Sequence, residues 1–282
     1  MVKAKLIALL LLMATVAVAQ KEVNHLVYKS TNNVETKKGT EKSAGMGVGV
    51  KVNDKQVVIT RLKEDGSFNE NHGYRIYDRE KDVIIYDLAR SEQYMIEEAD
   101  SVVRNPAIAK VTAKTATING YACKAYEATK DWYMFGKLQG TYTYTFWVTE
   151  SILTDESIND QIVPAFTMNN ATFSFKGTLV KVDAAYIVGK QKGVTSYELV
   201  KSEYSDDANK PVEMPWMRKG AKALLPNTVA VSDPNSNSYG TTHGYTAETP
   251  LQLRERLRAL LTAVTGIEKP KFMDANFSGF IY

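Results

Sequence analysis

The sequence predicts a mainly β protein whose strands form an antiparallel sheet, and three observations support this fold class. Segments rich in Val, Ile, Tyr and Thr recur at short intervals between His25 and Tyr204. Turn residues separate these segments, and apolar and polar side chains alternate within them. Because one face of each strand is apolar and the other polar, we expect an antiparallel sheet with one covered face and one solvated face.

The first hairpins are indicated by pairs of such segments around short polar turns. Met46–Val52 and Gln56–Leu62 flank Asn53-Asp54, and Tyr74–Tyr77 and Val83–Leu88 flank the turn DREKD. The clearest signal is Asn119-Gly120 between two alternating runs, because Asn-Gly is preferred in two-residue type I′ turns. Further strands are predicted in TYTYTFWVTE, ATFSFKG, GTLVKVDAAYIVG and GVTSYELVKSEY.

Alternation assigns the faces of the later strands. Two apolar rows, separated by threonines or charged residues, are expected to face a shared interior. They are Tyr142, Tyr144, Phe146 and Val148, and Val180, Val182, Ala184, Tyr186 and Val188. One helix, predicted at Glu150–Gln161, interrupts a series of consecutive strands. This order argues against alternating βαβ units and a parallel sheet.

Residues 205–282 differ in composition from the rest of the chain. Prolines and the stretch SDPNSNSYGTTHG predict an irregular extension. One helix follows, with Thr249 as its cap, Pro250 in its first turn, Gln252 completing a capping box and Gly266 ending it. Its expected apolar stripe favours packing on the β domain, with a membrane-surface helix as the alternative. The stripe comprises Leu253, Leu257, Leu260 and Val264.

The N-terminal segment predicts export. Lys3 and Lys5 precede an apolar run that ends in Ala17-Val18-Ala19, the pattern cleaved by signal peptidase. We therefore expect residues 1–19 to be a signal peptide, cut between Ala19 and Gln20. The run is shorter than the roughly 20 residues that span a bilayer. The expected location is the periplasm or the outer membrane, and membrane contact is left open.

Composition excludes several classes of protein. The full chain has a net charge of +3, and loss of Lys3 and Lys5 leaves +1, so no electrostatic basis for nucleic-acid binding remains. The hydrophobic content of 44% is sufficient for a core. The single cysteine, Cys123, excludes an internal disulfide, and we expect it to be buried.

Motifs for catalysis or metal binding are lacking in the sequence. It contains no nucleophile elbow, phosphate loop, HExxH or paired-cysteine motif. His25, His72 and His243 have no metal-ligand spacing. We therefore expect neither an enzyme nor a metal or other cofactor.

One stretch carries a family resemblance. Residues 118–126, INGYACKAY, resemble the I-x-G-Y-x-C-K-x-Y centre of an uncharacterised domain family of exported Gram-negative proteins. The resemblance extends back through residues 74–96, forward through TFWVTESI at 145–152, and to a closing hairpin at 177–204. This family is similar to the LolA and LolB carriers of outer-membrane lipoprotein sorting.

The resemblance implies an antiparallel half-barrel over helices, with a concave apolar face that binds an acyl chain or another apolar ligand. It covers roughly His25–Tyr204, within a β domain expected at residues 20–204, and leaves 205–282 as an extension. The expected ligand-binding residues come from the two apolar rows: Tyr142, Tyr144, Phe146, Val148, Val182 and Tyr186. The alternative is a structural or protein-interaction module of the cell envelope, whose partner is an envelope protein rather than a ligand.

Overall fold

The computed structural model describes residues 22–69, 72–88, 92–99, 107–134, 137–152, 154, 158–167, 173–226, 250–268 and 272–275. These residues form a mainly β structure with one open, curled antiparallel sheet and two helices, which confirms the predicted fold class. The strands are β1 (His25–Thr36), β2 (Gly39–Val52), β3 (Gln56–Leu62), β4 (Tyr74–Asp78), β5 (Val83–Leu88), β6 (Gln93–Glu98), β7 (Ala107–Ile108), β8 (Lys110–Ile118), β9 (Tyr121–Met134), β10 (Lys137–Thr149), β11 (Phe173–Ser174), β12 (Thr178–Val188), β13 (Gln191–Glu203), β14 (Lys222–Pro226) and β15 (Phe272–Ala275). The helices are α1 (Ile158–Ile162) and α2 (Pro250–Thr265), and 3-10 turns lie at Val163–Ala165 and Pro215–Met217.

Thirteen of the described strands make up the main sheet, in the order β15-β14-β6-β5-β4-β3-β2-β1-β13-β12-β10-β9-β8. Neighbours are antiparallel except at β14, which runs parallel to both β6 and β15. The short strands β7 and β11 form a separate parallel pair. Most neighbours in the main sheet are also neighbours in sequence, as expected for a sheet built from successive hairpins.

The predicted hairpins are confirmed. β2 pairs with β3 and β4 with β5 around the polar turns. Asn119 and Gly120 have φ angles of 50° and 84° between β8 and β9. A two-residue turn with both central φ values positive is type I′, as the Asn-Gly signal predicts.

The main core lies on the face of the sheet that packs against α1, which we call the inner face. Ile158 and Ile162 of α1 are fully buried there, together with Val163 and Phe166 just after it. The ring of Phe166 contacts those of Tyr28 and Tyr197, both at 4.9 Å between centroids. Strands as far apart in the sheet as β3 and β9 contribute to this single cluster.

A second cluster lies on the opposite face, the outer face, and involves only one end of the sheet. There α2 packs Leu257, Leu261 and Val264 against apolar side chains of β3 to β6. Because Val57 belongs to the inner cluster and its neighbour Val58 to the outer one, β3 is covered on both faces. Because α1 packs on the inner side of β3, this strand lies between the two helices.

The helix predicted at Glu150–Gln161 is observed as α1, Ile158–Ile162; residues 150–152 and 154 are not helical, and residues 153 and 155–157 lie outside the described residues. The Thr149 hydroxyl accepts a hydrogen bond from the Ser151 amide at 3.3 Å, and such local bonds compete with helix formation. In α2, Leu257, Leu260 and Val264 of the predicted stripe pack in the outer-face cluster, and Leu261, at 2% exposure, joins them.

The C-terminal segment ends its helix where the sequence predicts and also contains two strands that the sequence does not predict. The helix ends before Gly266, which has φ 69° and donates its amide to the Thr262 carbonyl at 2.9 Å. The cap predicted at Thr249 lies outside the described residues. Strands β14 and β15 also lie in this segment, which was expected to be irregular apart from one helix.

Candidate functional site

An aromatic row runs along the inner face of β10. Tyr142, Tyr144 and Phe146 follow one another at every second residue, with ring centroids 6.1 Å and 5.9 Å apart. Val182 on β12 lies directly opposite Phe146, and Tyr186 lies opposite Tyr142. Directly opposed residues share a face of a sheet, so β10 and β12 present one continuous apolar surface.

One end of this surface is covered. Phe173 of β11 contacts Tyr144 at 5.4 Å and Phe146 at 5.3 Å, measured between ring centroids. Phe175 contacts Phe146 at 5.2 Å and Tyr126 of β9 at 5.7 Å. Tyr144 and Phe146 consequently have no exposed surface. These tilted ring pairs are favourable beyond the area that they bury.

The other end is only half covered. Tyr142 and Tyr186 are half-buried, and their rings lie 5.9 Å apart. The ring of Tyr186 lies over Gly193 of β13, where a Cβ would come within 2.6 Å of the ring and 2.8 Å of the Asn33 carbonyl oxygen. Gly193 therefore provides the room in which the Tyr186 ring lies on the sheet.

A lysine continues the surface at this half-covered end. Lys130 of β9 lies directly opposite Tyr142, and Ala128 lies opposite Tyr144. Trp132 follows Lys130 at the next position with the same side-chain direction. Lys130 and Trp132 are both half-buried. Burial lowers the pKa of the Lys130 ammonium, since desolvation disfavours its charged form.

A different part of the inner face carries buried charge. Arg75 of β4 lies opposite Tyr86 of β5, and Glu97 of β6 lies two residues from Met95, the partner of Tyr86. Arg75, Tyr86 and Glu97 are 4%, 3% and 1% exposed. Arg75 Nη1 donates a 2.9 Å hydrogen bond to the Gln161 carbonyl oxygen, which attaches α1 to the sheet.

Electrostatics joins these three side chains. The Tyr86 hydroxyl interacts with both Arg75 and Glu97. Burial, reinforced by the negative charge of Glu97, raises the pKa of Tyr86. Because buried charges are tolerated only when other groups compensate them, we interpret this cluster as a structural attachment beneath α1.

Two surface clefts lie near the ends of the strands. One, of about 230 Å³, is lined by Lys124, Tyr126, Val148, Glu150 and Lys176. It adjoins the covered end of the aromatic surface through Tyr126 and Val148. The other, of about 610 Å³, has a mixed lining that includes Asn24, Asn53, Arg79 and Tyr204, and none of the predicted ligand residues lines it.

The structure brings the predicted ligand-binding residues together on one face. Tyr144, Phe146, Val148 and Val182 belong to the main core cluster, each no more than 3% exposed. Tyr142 and Tyr186 pack at its margin and remain half-buried. The ligand-binding role of the six residues stays a prediction. The predicted cleavage site, Ala19-Gln20, lies outside the described residues.

Sequence reasoning missed the residues around the aromatic row. Phe173 and Phe175 were expected in a strand, but the sequence did not indicate that they cover the aromatic row. Lys130 could have been noticed, because it occupies the apolar phase of the run Tyr126, Ala128, Lys130, Trp132. A lysine in that phase of a strand is unusual. The sequence did not indicate the cluster of Arg75, Tyr86 and Glu97, since β4, β5 and β6 each contain other polar residues.

Cys123 is 3% exposed within the main core cluster, which confirms its predicted burial. Its Sγ contacts the Tyr121 carbonyl oxygen at 3.4 Å. Burial raises the pKa of the thiol, so the reactive thiolate is disfavoured.

Among the described residues, no three His, Cys, Asp or Glu side chains converge as a metal site would require. Neither of the two described helices has the length and apolarity to cross a bilayer.

Comparison with known proteins gives no close relative. No protein-family model matches the chain, and no curated protein matches it. Among solved structures, a domain from Vibrio parahaemolyticus, provisionally named an outer membrane lipoprotein-sorting protein domain, aligns at 7% identity and a TM-score of 0.25, over 65% of this chain and 86% of that one. A DUF1329 family protein from Desulfovibrio piger aligns at 11% identity and a TM-score of 0.20, over 71% of this chain and 93% of that one. Both TM-scores are too low for the alignments to define the fold or function of this chain.

Proposed function

We propose that this chain is an exported binding protein of the cell envelope that holds an apolar ligand against the inner face of its sheet and catalyses no reaction. One observation carries the proposal. The aromatic surface of β10 and β12 passes from complete burial at Tyr144 and Phe146 to half burial at Tyr142 and Tyr186. An apolar surface that continues beyond its own cover can accept an apolar group from outside.

The chemistry of this surface suits an acyl chain. Ligand sites are lined mainly by aromatic and apolar side chains, with few polar groups. Burying a chain contributes about 0.8 kcal/mol per CH₂, so even half of a fatty acyl chain would bind measurably. Rigid rings such as Tyr142, Tyr186 and Trp132 provide this contact with little loss of side-chain entropy.

The proposal is tested by titrating the purified protein with a fluorescent fatty acid. The informative variant is Tyr186→Glu, which places a charge on the half-covered surface. Its matched control is Ile187→Glu, at the next residue of β12, which is 52% exposed and points away from Tyr186. We expect saturable binding by the wild type and by Ile187→Glu, and its loss in Tyr186→Glu.

Circular dichroism of all three proteins separates lost binding from lost folding. The proposal fails if the folded wild type shows no saturable binding. It also fails if Ile187→Glu and Tyr186→Glu, both folded, bind as tightly as the wild type.

Export is the part of the proposal that concerns the cell. Cleavage between Ala19 and Gln20 would release a chain that begins at Gln20. The intact mass of protein recovered from the periplasm of a Gram-negative host should correspond to residues 20–282. A mass that includes residues 1–19 would contradict export by this route.

A second candidate, a protein-interaction module of the envelope, is favoured by the edge strand β8. Val111 of β8 is 65% exposed, and β8 ends the main sheet in the described structure. Edge strands offer unpaired backbone groups to another chain. A Val111→Lys variant should then lose an envelope partner that co-purifies with the wild type, while fatty-acid binding remains unchanged.

A further inference from the structure

Lys130 is a charged side chain in an apolar position. It lies on the inner face, between Ala128 and Trp132 along β9 and opposite Tyr142 on β10. Opposed side chains in an antiparallel pair are about 5 Å apart at their Cβ atoms. The side chain of Lys130 therefore begins beside the half-covered end of the aromatic surface.

No carboxylate among the described residues forms an ion pair with Lys130. The nearest acids on its own strand point to the other face and have other partners. Glu127 pairs with Lys114 at 2.6 Å, and Asp131 accepts a 2.7 Å hydrogen bond from the Thr141 hydroxyl. A partly desolvated ammonium without a counter-charge is unfavourable, as the lowered pKa of Lys130 also indicates.

We propose that Lys130 binds the anionic head, a carboxylate or a phosphate, of an amphiphile whose chain lies along Tyr142 and Tyr186. This inference rests on the proposed function and specifies its ligand class. The anionic head supplies the counter-charge that the described protein does not provide. The rings beside the lysine supply the contact for the chain, so charge and apolar surface match the two parts of one molecule.

The arrangement also orients the ligand. Because Lys130 lies at the half-covered end, the head would remain near the surface while the chain lies along Tyr142 and Tyr186. Lysine acts as a point charge without the fixed fork of arginine, so it accepts either a carboxylate or a phosphate. The uncharged analogue of the same chain would retain the apolar contact and lose only the charge interaction.

The test compares three ligands of equal chain length by isothermal titration below their micellar concentrations. They are dodecanoic acid, dodecyl phosphate and dodecanol. Each is titrated into the wild-type protein, Lys130→Met, Lys130→Arg and the control Lys192→Met. Lys192 is an exposed lysine of β13, opposite Ile187 of β12.

We expect Lys130→Met to weaken binding of the anionic ligands by on the order of tenfold or more, the usual range for a hydrogen bond to a charged group. Dodecanol binding should not weaken, Lys130→Arg should restore anion binding, and Lys192→Met should match the wild type. A loss confined to dodecanoic acid identifies a carboxylate head, and a loss confined to dodecyl phosphate identifies a phosphate head.

Failure of this inference is distinct from failure of the proposed function. If none of the three ligands binds the wild type, the proposed function is wrong and the inference falls with it. If all three bind and Lys130→Met affects them equally or not at all, the apolar site stands and the anionic head is refuted.

Discussion

Two regions of the inner face bury different kinds of side chain. The aromatic region, Tyr142, Tyr144, Phe146 and Tyr186, packs ring against ring. The charged region, Arg75, Tyr86 and Glu97, buries groups that must each be compensated. The aromatic region therefore grades from covered to half-covered, whereas the charged region is completely closed beneath α1.

The outer face shows the same difference. Behind the charged region, α2 and the segment that contains Met214 and Trp216 cover the outer face of β3 to β6. Behind the aromatic region, Thr143 of β10 is exposed to solvent. The region covered on its outer face is suited to hold the fold, and the aromatic region is the surface that we propose binds a ligand.

Deleting residues 205–282 should have the largest effect. It removes Leu257, Leu261, Val264 and the rest of the outer layer, and exposes Val58, Ile76 and Ile85. An exposed apolar face of several hundred Å² leads to aggregation. We expect the truncated protein to elute as aggregate in size-exclusion chromatography. A soluble monomer that unfolds cooperatively would show that the outer layer is dispensable.

Arg75→Met tests the closed region next. It removes the bond to α1 and the positive charge that acts on the Tyr86 hydroxyl, which should lower the free energy of unfolding by about 1–3 kcal/mol. Urea denaturation measures the loss. The double variant Arg75→Met/Glu97→Leu should recover part of it if the two charges are coupled through Tyr86. No recovery would mean that the two side chains are not coupled.

Within the aromatic region, truncation should reveal the gradient of burial. Phe146→Ala creates a cavity at a fully buried site and should cost about 3–5 kcal/mol. Tyr142→Ala removes a half-buried ring and should cost about 1–2 kcal/mol. The shift of the denaturant midpoint measures the loss of stability in each variant, provided that the m-value is unchanged. Equal losses would contradict a surface that opens toward Tyr142.

Cys123 gives the smallest expected effect. Its burial and raised thiol pKa predict slow labelling by a maleimide in the folded protein and rapid labelling after denaturation. Cys123→Ser should cost only about 1 kcal/mol, because the new hydroxyl can donate to the Tyr121 carbonyl oxygen. Complete labelling of the folded protein, as fast as the labelling of an exposed cysteine, would show that this strand opens readily.

Local signals were sufficient for most of the sheet. Asn119-Gly120 predicts its hairpin because the turn conformation depends on those two residues alone. The alternation of β10 predicts the aromatic row for the same reason, since side-chain direction follows from strand geometry. Residues 150–152 are not helical, and the Ser151 amide there donates a hydrogen bond to the Thr149 hydroxyl, which periodicity does not reveal.

Features that depend on distant partners could not be predicted. β14 is a short strand that ends in Pro226 and joins the sheet only through parallel pairing with β6 and β15. Two extra residues in β8 shift its register against β9 between Val111 and Thr115. The half burial of Lys130 depends on its neighbour Tyr142 across the strand pair, and the covering of Phe146 depends on Phe173.

An amphiphile bound at Lys130 and along Tyr142 would lie close to Trp132, so tryptophan quenching tests this ligand site most directly. The chain has three tryptophans, and Trp216 reports from the outer layer, 5.9 Å from Tyr94 between ring centroids. Trp147 is replaced by Phe in both test variants. One variant keeps Trp132 as its single tryptophan, and the other keeps Trp216. Titration with a bromine-labelled fatty acid should quench Trp132 saturably and leave Trp216 unchanged. Equal quenching of both, or no saturable quenching of Trp132, would contradict a ligand site on the inner face.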